Sequence, residues 1–186
     1  MTTDEELRKA ATAAFKAAQP RDTVEKSSRH SKITGDFAEA LVLYWLSKHG
    51  YECAWVDHIG IDLIAWTKDG SQRMGISVQC RSRYPGTERE AVSLHPFEDA
   101  HEPCNSLGLT PYAAIVVDGA DFIRCFLVPI DHLDTIAGGK KPRLWLMSDR
   151  SLERCRGDPK VHWFEYKLDQ SRWLAQVGTK TGTADR

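Results

Sequence analysis

The side chains best equipped for chemistry stand on two short segments. Asp62 lies in Gly60-Ile61-Asp62-Leu63-Ile64-Ala65-Trp66, and Gln79 and Arg81 lie in Gly75-Ile76-Ser77-Val78-Gln79-Cys80-Arg81. A carboxylate, an amide and a guanidinium at these positions can form a satisfied polar patch, in which Asp62 and Arg81 pair as ions with Gln79 bonded between them. A further carboxylate, Glu39, sits in the apolar run Phe37-Ala38-Glu39-Ala40-Leu41-Val42-Leu43-Tyr44-Trp45-Leu46. Residues three and four apart share a helix face, so Glu39 falls in line with Leu43 and Leu46. A carboxylate on such a face needs a partner or a cation. The plainer alternative is an acidic residue near the start of a helix, favoured by the dipole and paired with Lys32.

Two strands must position the first three groups. Ile61–Trp66 and Ile76–Arg81 are short and rich in β-branched and aromatic residues, and Gly70-Ser71 between them suits a two-residue hairpin turn. That turn predicts a register with Asp62 directly opposite Gln79. Alternation then puts Ser77, Gln79 and Arg81 on one face and Ile76, Val78 and Cys80 on the other. Glu39 belongs to a helix predicted from Gly35 or Asp36 to Lys48, apolar nearly all round and therefore expected to be buried, with Gly50 at its left-handed C-terminal position.

Composition bounds the rest. The 186 residues, 41% of them hydrophobic, suit one domain with a real core and a short arm. A net charge of −1 offers no global basic field, so a polyanion would have to meet a local patch. Five scattered cysteines form no Cys-x-x-Cys pair, which argues against a zinc site and a disulfide framework and leads us to expect a reducing cytoplasm. The sequence shows neither an apolar run long enough to span a membrane nor a charged-then-apolar leader, so no membrane partner is expected.

In chain order, Thr3 with Glu6 is a capping-box signature, and Leu7, Ala11, Ala14, Phe15 and Ala18 predict a first helix ending at Gln19. Pro20–Lys32 reads as a polar connector. Tyr51–Val56 is the strand before the hairpin, followed by Asp57 and His58 in a connection. Pro96 is expected at the start of a short helix that Pro103 limits to about two turns. Strands follow at Tyr112–Val117 and Phe122–Val128, then a helix at Ile130–Ala137, strands at Leu144–Met147 and Val161–Tyr166, and a short helix near Leu152. Trp145, Trp163 and Trp173 are expected as core aromatics. The predicted organisation is an N-terminal helix and connector over 1–32, one domain over 33–178 and a disordered tail over 179–186.

The order Gly35-Asp36-x-x-Glu39 on a helix, a strand, Gly60-Ile61-Asp62, then a hairpin ending in Val78-Gln79-Cys80-Arg81 resembles the PD-(D/E)XK nuclease superfamily. It is similar to the small Holliday-junction-resolvase-like members, whose third motif often reads Gln-x-Lys. The resemblance covers about residues 33–83, with the following strands and helix to about Val128 fitting the same core. It implies an α/β, restriction-endonuclease-like fold, with a central mixed sheet flanked by helices. It also implies hydrolysis of DNA phosphodiesters with Mg²⁺ or Mn²⁺. Position by position, Asp62 would be the principal metal ligand, Glu39 an outer-sphere or second ligand reaching in from the helix, and Gln79 and the backbone carbonyl of Cys80 further oxygen donors. Arg81 stands where the family has lysine; it can clamp a phosphate but cannot act as a base. Arg83, Lys32 and His58 are candidate DNA contacts. A homodimer is expected because cutting two strands calls for two sites. The alternative is a catalytically silent DNA-binding or assembly module with the same fold.

Overall fold

The computed structural model describes residues 28–83, 86–87, 89–119, 121–137 and 143–167. The predicted first helix, the tail, Trp173 and most of the 20–32 connector lie outside the described residues. The chain divides into two compact units, Met1–Ser31 and Lys32–Arg186, and the sheet belongs to the second.

Helix α1 (Ser28–Lys48) leads into a meander of β1 (Tyr51–His58), β2 (Ile61–Thr67) and β3 (Arg73–Ser82). Then come β4 (Val92–Ser93), a 3₁₀ turn (Glu98–Ala100), α2 (His101–Leu107), β5 (Thr110–Asp118), β6 (Phe122–Pro129) and α3 (Ile130–Ala137). The described chain ends with β7 (Leu144–Trp145), α4 (Asp149–Gly157) and β8 (His162–Lys167). Six strands form one sheet in the order β1-β2-β3-β5-β6-β8, and β4 pairs with β7 in a second, two-stranded sheet. β3 runs parallel to β5 and the other neighbours in the large sheet are antiparallel, so the sheet is mixed. The fold is α/β, a central mixed sheet flanked by four helices.

Both faces of the sheet are covered. One carries α1, whose Ala38, Val42 and Leu46 pack on Leu63, Ala65, Met74, Ile76, Ala114 and Val116. The other is covered by the segment from Val92 to Leu109, by α3 and by Trp145, Met147 and Leu152, over Ala113, Ile115, Val117 and Phe126. The run Ala113–Val117 is fully buried, which is why it reads as a continuous apolar stretch without alternation.

Several boundaries depart from the sequence expectation. α1 begins at Ser28, ahead of Gly35, because that glycine is tolerated within a helix whose later turns are anchored on the sheet. Ile33, Phe37 and Tyr44 are exposed, so α1 buries one stripe and not its whole circumference. Pro103 lies inside α2, in the first turn, where a missing N–H costs no intrahelical bond. β1 continues to His58, and the expected strand at Leu144–Met147 shrinks to Leu144–Trp145.

The hairpin register also differs. Thr67 N–H donates to the Gln72 carbonyl (3.0 Å), and Gly70 N–H to the Thr67 carbonyl (2.8 Å). Asp69 Oδ1 accepts from the Ser71 amide and hydroxyl. The loop is therefore Lys68–Ser71, and Leu63 stands opposite Ile76. A continued ladder would set Asp62 against Ser77 and not Gln79. The two-residue slip preserves the face assignment: Ile76, Val78 and Cys80 pack on the α1 side as expected.

At the other end of β2, Gly60 has a φ of 89° and lies so close to the 3₁₀ turn that a Cβ would collide with the Asp99 carbonyl. Gly60→Ala is expected to cost about 2 kcal/mol or more, from the left-handed backbone and the displaced turn together. Urea denaturation of the two proteins measures it.

Candidate functional site

β2 and β3 pair only from Leu63/Ile76 to Trp66/Arg73, whereas β3 stays paired with β5 as far as Ser82. Beyond Ile76 the β2 side of β3 is therefore open. In an extended strand the N–H and C=O of one residue point to the same side, and those of the next residue to the opposite side. Val78 and Cys80 thus present their backbone groups to the open edge. Asp62 Oδ2 accepts from Val78 N–H at 2.6 Å, so a side chain takes the place of the missing strand. The Cys80 carbonyl accepts from Arg81 Nη1 at 2.8 Å.

A bulge aims Asp62. β1 pairs Trp55 with Leu63 and His58 with Ile61, so Val56 and Asp57 together oppose the single residue Asp62. Alternation breaks at the same place: Ile61 belongs to the core on one face of the sheet, Leu63 and Ala65 to the core on the other. Asp62 is the pivot between them.

Burial raises the pKa of Asp62, opposed by the Val78 hydrogen bond. Glu39, half-buried on α1, is raised first by burial and then by the negative charges of Asp62 and Asp36, with Lys32 opposing. The negative charge of Asp62 is thus a secondary cause of the Glu39 shift, whereas the shift of Asp62 itself comes from burial. Lys32 lies 3.6 Å from Asp36 in an exposed pair one helical turn long.

The other expected residues are engaged with backbone. The amide of Gln79 bonds both backbone groups of His95, accepting from its N–H at 3.0 Å and donating to its carbonyl at 3.3 Å. Burial lowers the pKa of the half-buried Arg81, and the like charge of Arg83 acts in the same direction. Arg83 Nη2 donates to the carbonyls of Glu90 (3.2 Å) and Ala91 (2.5 Å), fastening the chain after β3. The exposed His58 ring is bonded to the Ile59 carbonyl at 2.9 Å. The Cys80 thiol is pushed up to about 11 by burial and then by Asp118.

The structure bonds Asp62 to Val78 N–H and turns Gln79 toward His95. Among the described residues Asp62 and Arg81 form no ion pair, so the compact Asp-Gln-Arg patch is not what the strands build. His95 was not singled out by the sequence, although an amide at position 79 was the trace it left. No group of three His, Cys, Asp or Glu side chains converges among the described residues.

No family model matches the sequence, and no curated protein matches it. The structure is similar to that of Hjc, a Holliday junction resolvase from Archaeoglobus fulgidus. The identity is 16% and the TM-score 0.45, over 77% of this chain and 93% of that one. It is also similar to a restriction endonuclease in complex with substrate DNA. Here the identity is 14% and the TM-score 0.41, over 91% of this chain and 86% of that one.

The raised carboxylates make a pH-dependent strain with a definite sign. A carboxyl whose folded pKa is raised stabilises the fold fully below its unfolded pKa, and that stability is lost as pH rises through the folded value. Asp62→Asn keeps an acceptor for Val78 N–H and removes the charge. The variant is expected to be more stable than wild type at pH 7–8, with the gap closing toward about pH 4, near the ordinary aspartate pKa. Denaturant melts across pH read this directly.

Proposed function

We propose that the chain is a metal-dependent endonuclease acting on DNA, with Glu39 and Asp62 holding Mg²⁺ or Mn²⁺ at the opening between β2 and β3. The supporting observation is Asp62, half-buried at the open edge of β3 and held there by Val78 N–H at 2.6 Å. Its pKa is raised by burial and its negative charge helps raise that of Glu39, a strain that a divalent cation would relieve. The donor set fits magnesium, which takes oxygen ligands and is commonly held by one or two carboxylates with phosphate oxygens and waters completing the shell. Such an ion polarises a phosphoryl oxygen and lowers the pKa of the attacking water.

The chain's own groups have defined tasks in this reading. Asp62 is held in place by Val78 N–H, and Glu39 stands on a helix anchored on the sheet. Arg81 remains cationic and clamps the phosphate, which requires its guanidinium to exchange the Cys80 carbonyl for phosphate oxygens. It cannot take a proton from water. Lys32 and His58 lie exposed at the start of α1 and the end of β1, as outer contacts to the backbone of the DNA. Cutting both strands of a duplex takes two such sites, which a homodimer would supply.

A second reading, a silent DNA-binding or assembly module, is favoured by a separate observation: Gln79, Arg81 and Arg83 all spend hydrogen bonds on backbone carbonyls. Cleavage assays on duplex, branched and single-stranded DNA in Mn²⁺ separate the two. In the enzyme, Asp62→Ala abolishes cleavage with the fold intact, and cutting that survives it belongs to another site or a contaminant. Arg81→Ala slows cleavage about 10²-fold, while Arg81→Lys retains it. In the module none of the proteins cuts, and Arg81→Ala lowers the slope of log affinity against log salt by about one.

A further inference from the structure

Position 79 lies where the resemblance expects an oxygen ligand for the metal, yet its side chain is committed to another task. Oε1 accepts from His95 N–H at 3.0 Å, and Nε2 donates to the His95 carbonyl at 3.3 Å. This is the pair of bonds that a neighbouring strand would make to His95, supplied here by one side chain. The task needs a donor and an acceptor on the same planar group, which an amide has and an ionised carboxylate lacks. A carboxylate could accept from His95 N–H, but its second oxygen would face the lone pairs of the His95 carbonyl.

The segment held in this way seals one core. Leu94 and Phe97, on either side of His95, are 5% and 1% exposed and belong to the core opposite α1. Leu94 N–H is bonded to the Arg143 carbonyl at 3.0 Å, but His95 and Pro96 are exposed. A bridge from β3 to the His95 backbone therefore fixes the segment at its exposed point. Next along the chain, the backbone of Asp99 abuts Gly60, two residues before Asp62.

We propose that Gln79 is the clasp of the Leu94–Phe97 segment and not a metal ligand, and that this task is why an amide stands there. The inference rests on the metal-site reading only in leaving Glu39 and Asp62 as the protein ligands. Its consequence is that an amide at position 79 is a structural requirement of this chain.

The test uses the full chain as wild type, Gln79→Ala and Gln79→Glu, with two readouts: hydrogen-exchange protection of the His95 amide and the affinity for Mn²⁺ alone. Protection at His95 is expected to fall about tenfold in Gln79→Ala, the effect of one lost hydrogen bond. Mn²⁺ affinity in that variant stays within about threefold of wild type, a difference well under a ligand's contribution. In Gln79→Glu, protection is lowered at pH 8, because repulsion between the second carboxylate oxygen and the His95 carbonyl pushes the side chain off His95. It recovers toward about pH 4, where a protonated carboxyl again has both a donor and an acceptor. That recovery keeps the proposal testable if Gln79→Ala does not fold. Unchanged His95 protection in the variants, or a Mn²⁺ affinity at least about tenfold weaker in Gln79→Ala, overturns the clasp. A wild type that binds no Mn²⁺ would instead sink the two-carboxylate metal site, and His95 protection would then decide the clasp by itself.

Discussion

β3 is bonded to β5 along nearly its whole length but to β2 only as far as Ile76, and this unequal pairing sets out the polar end of the sheet. An open edge inside a folded domain leaves backbone groups that must find partners. Val78 N–H finds Asp62, and the Cys80 carbonyl finds Arg81. The residues that look catalytic in the sequence therefore also complete the hydrogen bonding of a strand whose neighbour has turned away. The bulge in β1 opposite Asp62 is the companion of that divergence, because an extra residue bends the strand and re-aims its partner.

The two cores explain why the divergence can be sustained. On one face α1 contributes Ala38, Val42 and Leu46 to a cluster that includes Ile76 with Val78 and Cys80 beside it, so β3 stays anchored after β2 has left. On the other face the segment from Val92 to Leu109 packs over Ile61, Ala113 and Ile115. Glu39 stands on the same helix that covers the first face. Its pKa is raised first by burial and then by the negative charges of Asp62 and Asp36. Two carboxyls whose pKa values are raised in the fold cost stability at pH above their ordinary values.

The sequence by itself determined the elements and their faces. The alternation of Ile76, Val78 and Cys80 against Gln79 and Arg81, the strands β5 and β6, and the helix Ile130–Ala137 follow from periodicity, whereas the single buried stripe of α1 does not, since the helix reads as apolar nearly all round. Periodicity records which side chains leave water, and the burial of apolar surface is the dominant force that drives the chain to fold. Asp62 and Glu39 were legible for the same reason, as charges set among apolar neighbours. The tertiary structure decided what periodicity does not encode. Asp69 bonding to Ser71 made a four-residue loop, so Leu63 stands opposite Ile76 and the register that would pair Asp62 with Gln79 is lost. The bulge at Val56 and Asp57 turned Ile61 and Leu63 to opposite cores. The partner of Gln79 is the backbone of a residue 16 positions away, in a segment without regular structure. Backbone groups are the same at every residue, so a sequence shows which side chain can bond to one but not which one it will reach; only the packed chain brings the two together.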